Sequence, residues 1–137
     1  MQYQVTYNEN WKYIFVEIRG KLDTQILQHV AKDVSDLAES RKCNRVLTDL
    51  RQAVPAGGVV EIYNMPGTAR QAGVLPWSRR ALVVGDKTDD FHFLETVFIN
   101  QGHIVKVFAD FDEAQAWLCE SEDEYYDWHK NKNRNQP

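Results

Sequence analysis

The sequence predicts an α/β domain, and three observations predict it. Along residues 1–119 the hydrophobic period switches back and forth between two and about 3.6 residues. Short, aliphatic, β-branched runs recur at residues 45–50, 81–84 and 103–108. Segments with a helical apolar stripe separate each run from the next, and such alternation calls for a mostly parallel sheet with right-handed crossovers and covering helices. We expect five strands and about four helices, with one antiparallel strand at an edge.

The opening elements form a hairpin. Tyr3, Val5 and Tyr7 alternate with polar residues, Asn8-Glu9-Asn10 supplies a turn, and Tyr13-Ile14-Phe15-Val16-Glu17-Ile18 reads as the second strand, with Gly20 ending it. So tight a connection makes the pair antiparallel and puts the first strand at the edge. Asp23 is a good N-cap for a helix that buries Ile26, Leu27, Val30, Val34, Leu37 and Ala38 and stops near Arg41. Arg45-Val46-Leu47-Thr48-Asp49-Leu50 then fits a strand covered on both faces.

Residues 51–77 are less regular. Val59, Ile62 and Tyr63 predict a helical turn entered from Gly57-Gly58, and Pro66, which lacks the amide a continuing helix needs, breaks it. Pro66 can open a second short helix carrying Ala69 and Ala72 and ending at Gly73. Ala81-Leu82-Val83-Val84 is the next buried strand, closed by Gly85-Asp86. Thr88, Asp89 and Asp90 offer caps for a helix with Phe91, Leu94, Val97 and Phe98 on one face, ended by Gly102. The last strand is His103 to Phe108, and Asp110 with Glu113 forms a capping box for a final helix burying Phe111, Ala114, Trp117 and Leu118.

Composition narrows the function classes. A chain of 137 residues with a formal charge of -4 and scattered basic residues presents no basic face for nucleic acid. No apolar stretch approaches the roughly 20 residues of a membrane helix. Met1 to Val5 lack the basic-then-apolar pattern of an export signal, and two widely spaced cysteines read as reduced thiols, so the expectation is a cytoplasmic protein. From Glu120 the aliphatic residues disappear. The segment 120–137, acidic and aromatic and then basic, reads as a partly disordered tail on a domain spanning 1–119.

The element order, Gly20-Lys21-Leu22-Asp23 opening the first helix, and the strand Arg45 to Leu50 resemble the STAS domain family of anti-sigma-factor antagonists over residues 1–119. The phrases Arg79-Arg80-Ala81-Leu82-Val83-Val84-Gly85 and Asp90-Phe91-His92-Phe93-Leu94-Glu95-Thr96 are more similar to the divergent SpoIIAA-like, STAS/SEC14-type branch. The resemblance implies the SpoIIAA-like fold and a small binding module. In the regulatory branch it also implies a serine after the third strand that a partner kinase phosphorylates, and in the SEC14 group a helical gate over a lipid. Here the stretch equivalent to the switch runs Arg51-Gln52-Ala53-Val54-Pro55-Ala56-Gly57-Gly58. It carries no hydroxyl, and a phosphate needs an acceptor oxygen, so no phosphorylation switch is expected at that position.

The residues show no catalytic set. Gly57-Gly58 lack the spacing of a nucleotide loop and read as a turn-permitting pair. His92 and Glu95 share a helical face, but two ligands do not make a metal site, and His29, His103 and His129 lie on separate elements. Cys43, Cys119, Ser40 and Ser78 have no nucleophile motif around them. No cofactor and no enzymatic activity are expected. Asp49, at the carboxyl end of its strand, occupies a position where α/β folds often place function, or else caps the following turn.

The remaining signal is for binding. Tyr63, Met65, Pro66, Val74, Leu75, Pro76 and Trp77 mix apolar bulk with breaks in regular structure, bordered by Arg70, Arg79 and Arg80. The expectation is a non-enzymatic module acting through a protein partner, a second copy of the chain being one form of it. The alternative is a carrier or sensor of a small apolar ligand beneath a lid formed by residues 55–77. The candidate binding residues are Asp49, Arg51, Gly57, Gly58, Tyr63, Met65, Trp77 and Arg79.

Overall fold

A computed structural model describes residues 2–55, 67, 70, 71, 78–86 and 88–120. Its strands are β1 (Tyr3–Asn8), β2 (Tyr13–Leu22), β3 (Arg45–Pro55), β4 (Arg79–Val83) and β5 (Ile104–Phe108). Three helices are described in full: α1 (Thr24–Arg41), α2 (Thr88–Asn100) and α3 (Phe111–Leu118). The expected number of about four is not established. The helical turns expected between Gly57 and Gly73 lie outside the described residues, except that the backbone is helical at Gly67, Arg70 and Gln71.

The five strands lie in the order β1-β2-β3-β4-β5. β1 pairs antiparallel with β2, and every other neighbour is parallel, as a hairpin followed by βαβ units requires. The hairpin turn closes through the Lys12 amide on the Asn8 carbonyl (2.7 Å), with the Asn8 side chain accepting from the Trp11 amide (2.9 Å).

Alternation along the strands divides the core in two. Ile14, Val16 and Ile18 of β2, Val46 of β3, Leu82 of β4 and Val105 of β5 pack with Val30 and Val34 of α1 and with Phe91, Leu94 and Phe98 of α2. The opposite parity, with Tyr13, Leu47, Ala81, Val83 and Phe108, packs against Ala114 and Leu118 of α3. α1 and α2 therefore cover one face and α3 the other. Stripes buried at this level supply most of each helix's stability, since helices this short are marginal alone.

The caps of α1 and α3 fall where the side chains predict, whereas Thr88, Asp89 and Asp90, expected to cap α2, lie within its first turn. Asp23 Oδ1 accepts from the Ile26 amide (2.9 Å) and Asp110 Oδ2 from the Glu113 amide (2.9 Å). α1 ends through Lys42 in the left-handed region, and α2 through Gly102, whose φ of +88° lets His103 N reach the Phe98 carbonyl (3.0 Å).

Three strand boundaries differ from expectation by two residues or more, one being β4, which begins at Arg79 and not at Ala81. Gly20 does not end β2, which runs on to Leu22, and β3 continues through Arg51 to Pro55. The cause is a bulge: between the pairs Glu17↔Asp49 and Arg19↔Gln52, β2 advances two residues while β3 advances three. The shift reverses the parity of β3, so Leu50 and Ala53, three apart, enter the same core. Gly20, at φ +76°, absorbs the altered twist in a conformation costly for other residues.

Candidate functional site

The described part of the predicted site splits between two ends of the α3 face. Register aligns Asp49 with Val83 and Arg45 with Arg79, so Asp49 and Arg79 are separated by the length of β4, about 13 Å. Asp49 and Arg51 come together in the middle of β3, because the strand runs on to Pro55 and does not end at Asp49 as expected. Asp49, 6% exposed, accepts from the Arg51 backbone amide (3.1 Å) and Nε (3.0 Å) at Oδ1 and from Nη2 (2.8 Å) at Oδ2. Burial pushes the Asp49 carboxyl up, but the hydrogen bonds and charge of Arg51 outweigh it and hold the group below the usual carboxylate range. The Arg51 amide lies at the bulge, and Asp49 accepts from it there.

Arg51 and Arg79 each touch an aromatic ring of α3. The Arg51 guanidinium lies 5.6 Å from the Phe111 ring centre, and that of Arg79 lies 3.9 Å from Trp117. Arg79 Nη2 also donates to the Trp117 carbonyl (2.9 Å) and pairs with Glu120 (2.5 Å), placing a cation at the helix C-terminus. Both arginines thus hold α3 at its two ends. Gly57, Gly58, Tyr63, Met65 and Trp77, with the proposed 55–77 lid, lie outside the described residues apart from the backbone of Pro55 and residues 67, 70 and 71.

His92 and Glu95 pair at 3.4 Å as their spacing predicts. Glu95 also accepts from the Val107 amide at 2.6 Å, so it ties α2 to β5. No group of three His, Cys, Asp or Glu side chains able to hold a metal occurs among the described residues. No described helix is long and apolar enough to cross a membrane.

A different constellation occupies the opposite face. Between the sheet and the two helices lies a cavity of about 90 Å³, lined by Ile18, Val46 and Leu82 from the strands, Val30 and Val34 from α1, and Leu94 and Phe98 from α2. One charged residue, Arg80, joins this lining. Arg80 shares the inward parity of Leu82 and Val84 and is 8% exposed, with its guanidinium 5.3 Å from the Phe98 ring centre.

Arg80 Nη2 hydrogen-bonds to His103 Nδ1. Arginine can only donate, so His103 accepts there and carries its proton on Nε2. His103 is 4% exposed and lies edge-on to Phe98, ring centres 5.2 Å apart. Burial first, then the charges of Arg80 and Arg70, push its pKa down to about 4. Burial lowers that of Arg80 to about 10, and no carboxylate among the described residues offsets it. Arg80 Nε and His103 Nε2 are buried donors without an acceptor among the described residues. Nearby, Arg70 donates to the Gln101 carbonyl (3.2 Å) and adds a second positive charge.

The sequence reading places Arg80 only at the border of the irregular segment and His103 only at a strand start. A signal was present: Arg80 is the one charged residue on the inward parity of a strand whose other members on that parity, Leu82 and Val84, are aliphatic.

No protein-family model matches the sequence, and no curated protein matches it significantly. Among solved structures, the chain is similar to an uncharacterised protein of the DUF3478 family with a SpoIIAA-like fold from Shewanella loihica PV-4. The TM-score is 0.57 at 15% identity, covering 85% of this chain and 92% of that one. Identity at that level speaks to fold alone. The chain accordingly carries a SpoIIAA-like α/β domain.

Proposed function

We propose that this domain is a non-catalytic binding module whose ligand is a small apolar molecule held between the sheet and helices α1 and α2. The observation that carries this reading is the cavity of about 90 Å³, walled by aliphatic side chains from both helices and from the strands they cover. Concave, mostly apolar sites with few polar groups are the usual form of small-molecule sites. The volume sets the scale. Drug-sized ligands occupy about 300–1,000 Å³, so this cavity suits a fragment rather than a two-chain lipid.

Binding through a protein partner is the second reading. It is favoured by the carboxyl-terminal half of β3, where Val54 is 55% exposed and the Arg51 side chain 46% exposed.

The test uses Ala31, a fully covered helix residue on the cavity wall. Ala31→Leu fills part of the space. Titration of the ¹⁵N-labelled protein with 1-hexanol, followed by amide shifts, should perturb Val34, Leu82 and Leu94 in the parent and leave them unmoved in the variant. A melting temperature equal to or above the parent's shows that the variant is folded. Equal perturbation of both proteins, or of neither, rejects the cavity as the site.

A further inference from the structure

The cavity is not uniformly apolar, and its one charged lining residue has no carboxylate counter-ion among the described residues. A guanidinium removed from water is costly unless paired and fully hydrogen-bonded. Arg80 is 8% exposed, and among the described residues its compensation is one neutral imidazole and the face of one phenyl ring. Among the described residues its Nε–H finds no acceptor, nor does the Nε2–H of His103 beside it. The histidine cannot supply the missing negative charge, because a neutral imidazole carries none, and its one accepting nitrogen, Nδ1, is already engaged by Arg80. Arg70, exposed on the same side, reinforces the positive potential.

From this arrangement we infer that the ligand is a short-chain carboxylate, with its alkyl tail among Val34, Leu82 and Leu94 and its carboxylate on the Arg80 guanidinium. The inference rests on the cavity reading above and adds the headgroup to it. A carboxylate matches the planar fork of guanidinium donors, can accept from Nε and one Nη together, and neutralises the charge that the fold leaves exposed to an apolar wall. Volume limits the tail, since a cavity of about 90 Å³ cannot enclose a long acyl chain. A neutral alcohol of the same length would fill the same space but leave the guanidinium charge unpaired. An amine would set a second cation against it.

Sodium hexanoate, 1-hexanol and hexylammonium chloride, titrated separately into the intact chain near neutral pH and followed by amide shifts, test the headgroup. A hydrogen-bonded charge pair contributes roughly 1.5–3 kcal/mol, so hexanoate should bind about tenfold or more tighter than hexanol, and hexylammonium weakest. Sodium acetate, which has the headgroup without the tail, should bind more weakly than hexanoate. Arg80→Met should remain folded, since apolar replacement of an uncompensated buried charge is often neutral or stabilising, and should bring hexanoate down to the affinity of hexanol. Arg80→Lys should keep part of the preference. Equal affinity of the parent for hexanoate and hexanol overturns the headgroup assignment and leaves the apolar cavity standing. Shifts at the cavity residues from neither compound overturn both. The comparison of ligands on the parent chain decides the matter even if Arg80→Met fails to fold.

Discussion

Asp49 closes the bulge of β3 by accepting three hydrogen bonds from Arg51, one from its backbone amide and two from its guanidinium. The pair is local in sequence, but its consequence is not. The extra residue in β3 reverses which side chains face α1 and α2, and brings Ala53 into the core with Leu50. Asp49→Asn keeps the shape but removes the charge and one acceptor site, and should cost roughly 1–3 kcal/mol in urea unfolding. In a double-mutant cycle with Arg51→Met the two losses should fall short of additivity, and full additivity would show that the pair is uncoupled. Because folding lowers the Asp49 pKa, its contribution is present above the ordinary carboxylate range and is lost as pH falls through the lowered value.

His103 makes stability depend on pH in a second window. Folding takes its pKa from 6.5 to about 4, so the unfolded chain binds the extra proton first as the solution is acidified. The contribution is complete above pH 6.5 and declines between 6.5 and about 4, by on the order of 3 kcal/mol. His103→Asn, whose side-chain oxygen can still accept from Arg80, should flatten the stability profile in that window. An unchanged slope in the variant would assign the dependence to other groups.

Arg79 fastens the C-terminal end of α3 through Trp117, by ring stacking at 3.9 Å and a carbonyl hydrogen bond at 2.9 Å. Arg79→Ala should destabilise the domain by about 1–2 kcal/mol. Native-state hydrogen exchange should quicken across residues 111–118 more than in α1, because only α3 loses its anchor. Uniform acceleration across the domain would contradict that local role.

Gly20 sits in β2 at φ +76°, with only the Gln2 amide nitrogen near its missing Cβ, at 3.5 Å. Space is adequate and the backbone is the constraint. Gly20→Ala should therefore lose about 1–2 kcal/mol, and Gly20→Asn less, since asparagine tolerates the left-handed region better. A clash would instead penalise asparagine more than alanine.

The two thiols should differ in reactivity. Burial pushes the Cys43 thiol up, and the residue is 7% exposed, with its S–H within reach of the Arg45 carbonyl (3.4 Å) and the Lys12 carbonyl (3.6 Å). In native protein at mildly alkaline pH, maleimide should label the half-buried Cys119 first, with Cys43 reacting on the timescale of unfolding. Equal rates would show that Cys43 opens locally.

The order of elements was legible because hydrophobic period is a local property. The caps at Asp23 and Asp110, the end of α2 at Gly102 and the edge hairpin follow from side chains acting within a few residues of themselves. Asp49 and Arg51 were legible as notable residues for the same reason, though their partnership across a bulge was not. A bulge is a mismatch between two strands some thirty residues apart in sequence, and neither strand announces it alone.

The sequence by itself determined the α/β class, the parallel order after an antiparallel edge, and the absence of a hydroxyl from Arg51 to Gly58. Only the tertiary structure decided which charged residues are buried and what they meet. Arg79 and Arg80 are neighbours in the chain, yet strand alternation sends the first to clamp α3 and the second into the apolar cavity beside His103. Burial depends on what packs above a residue, and for Arg80 those partners come from α2 and the start of β5, elements that lie later in the chain.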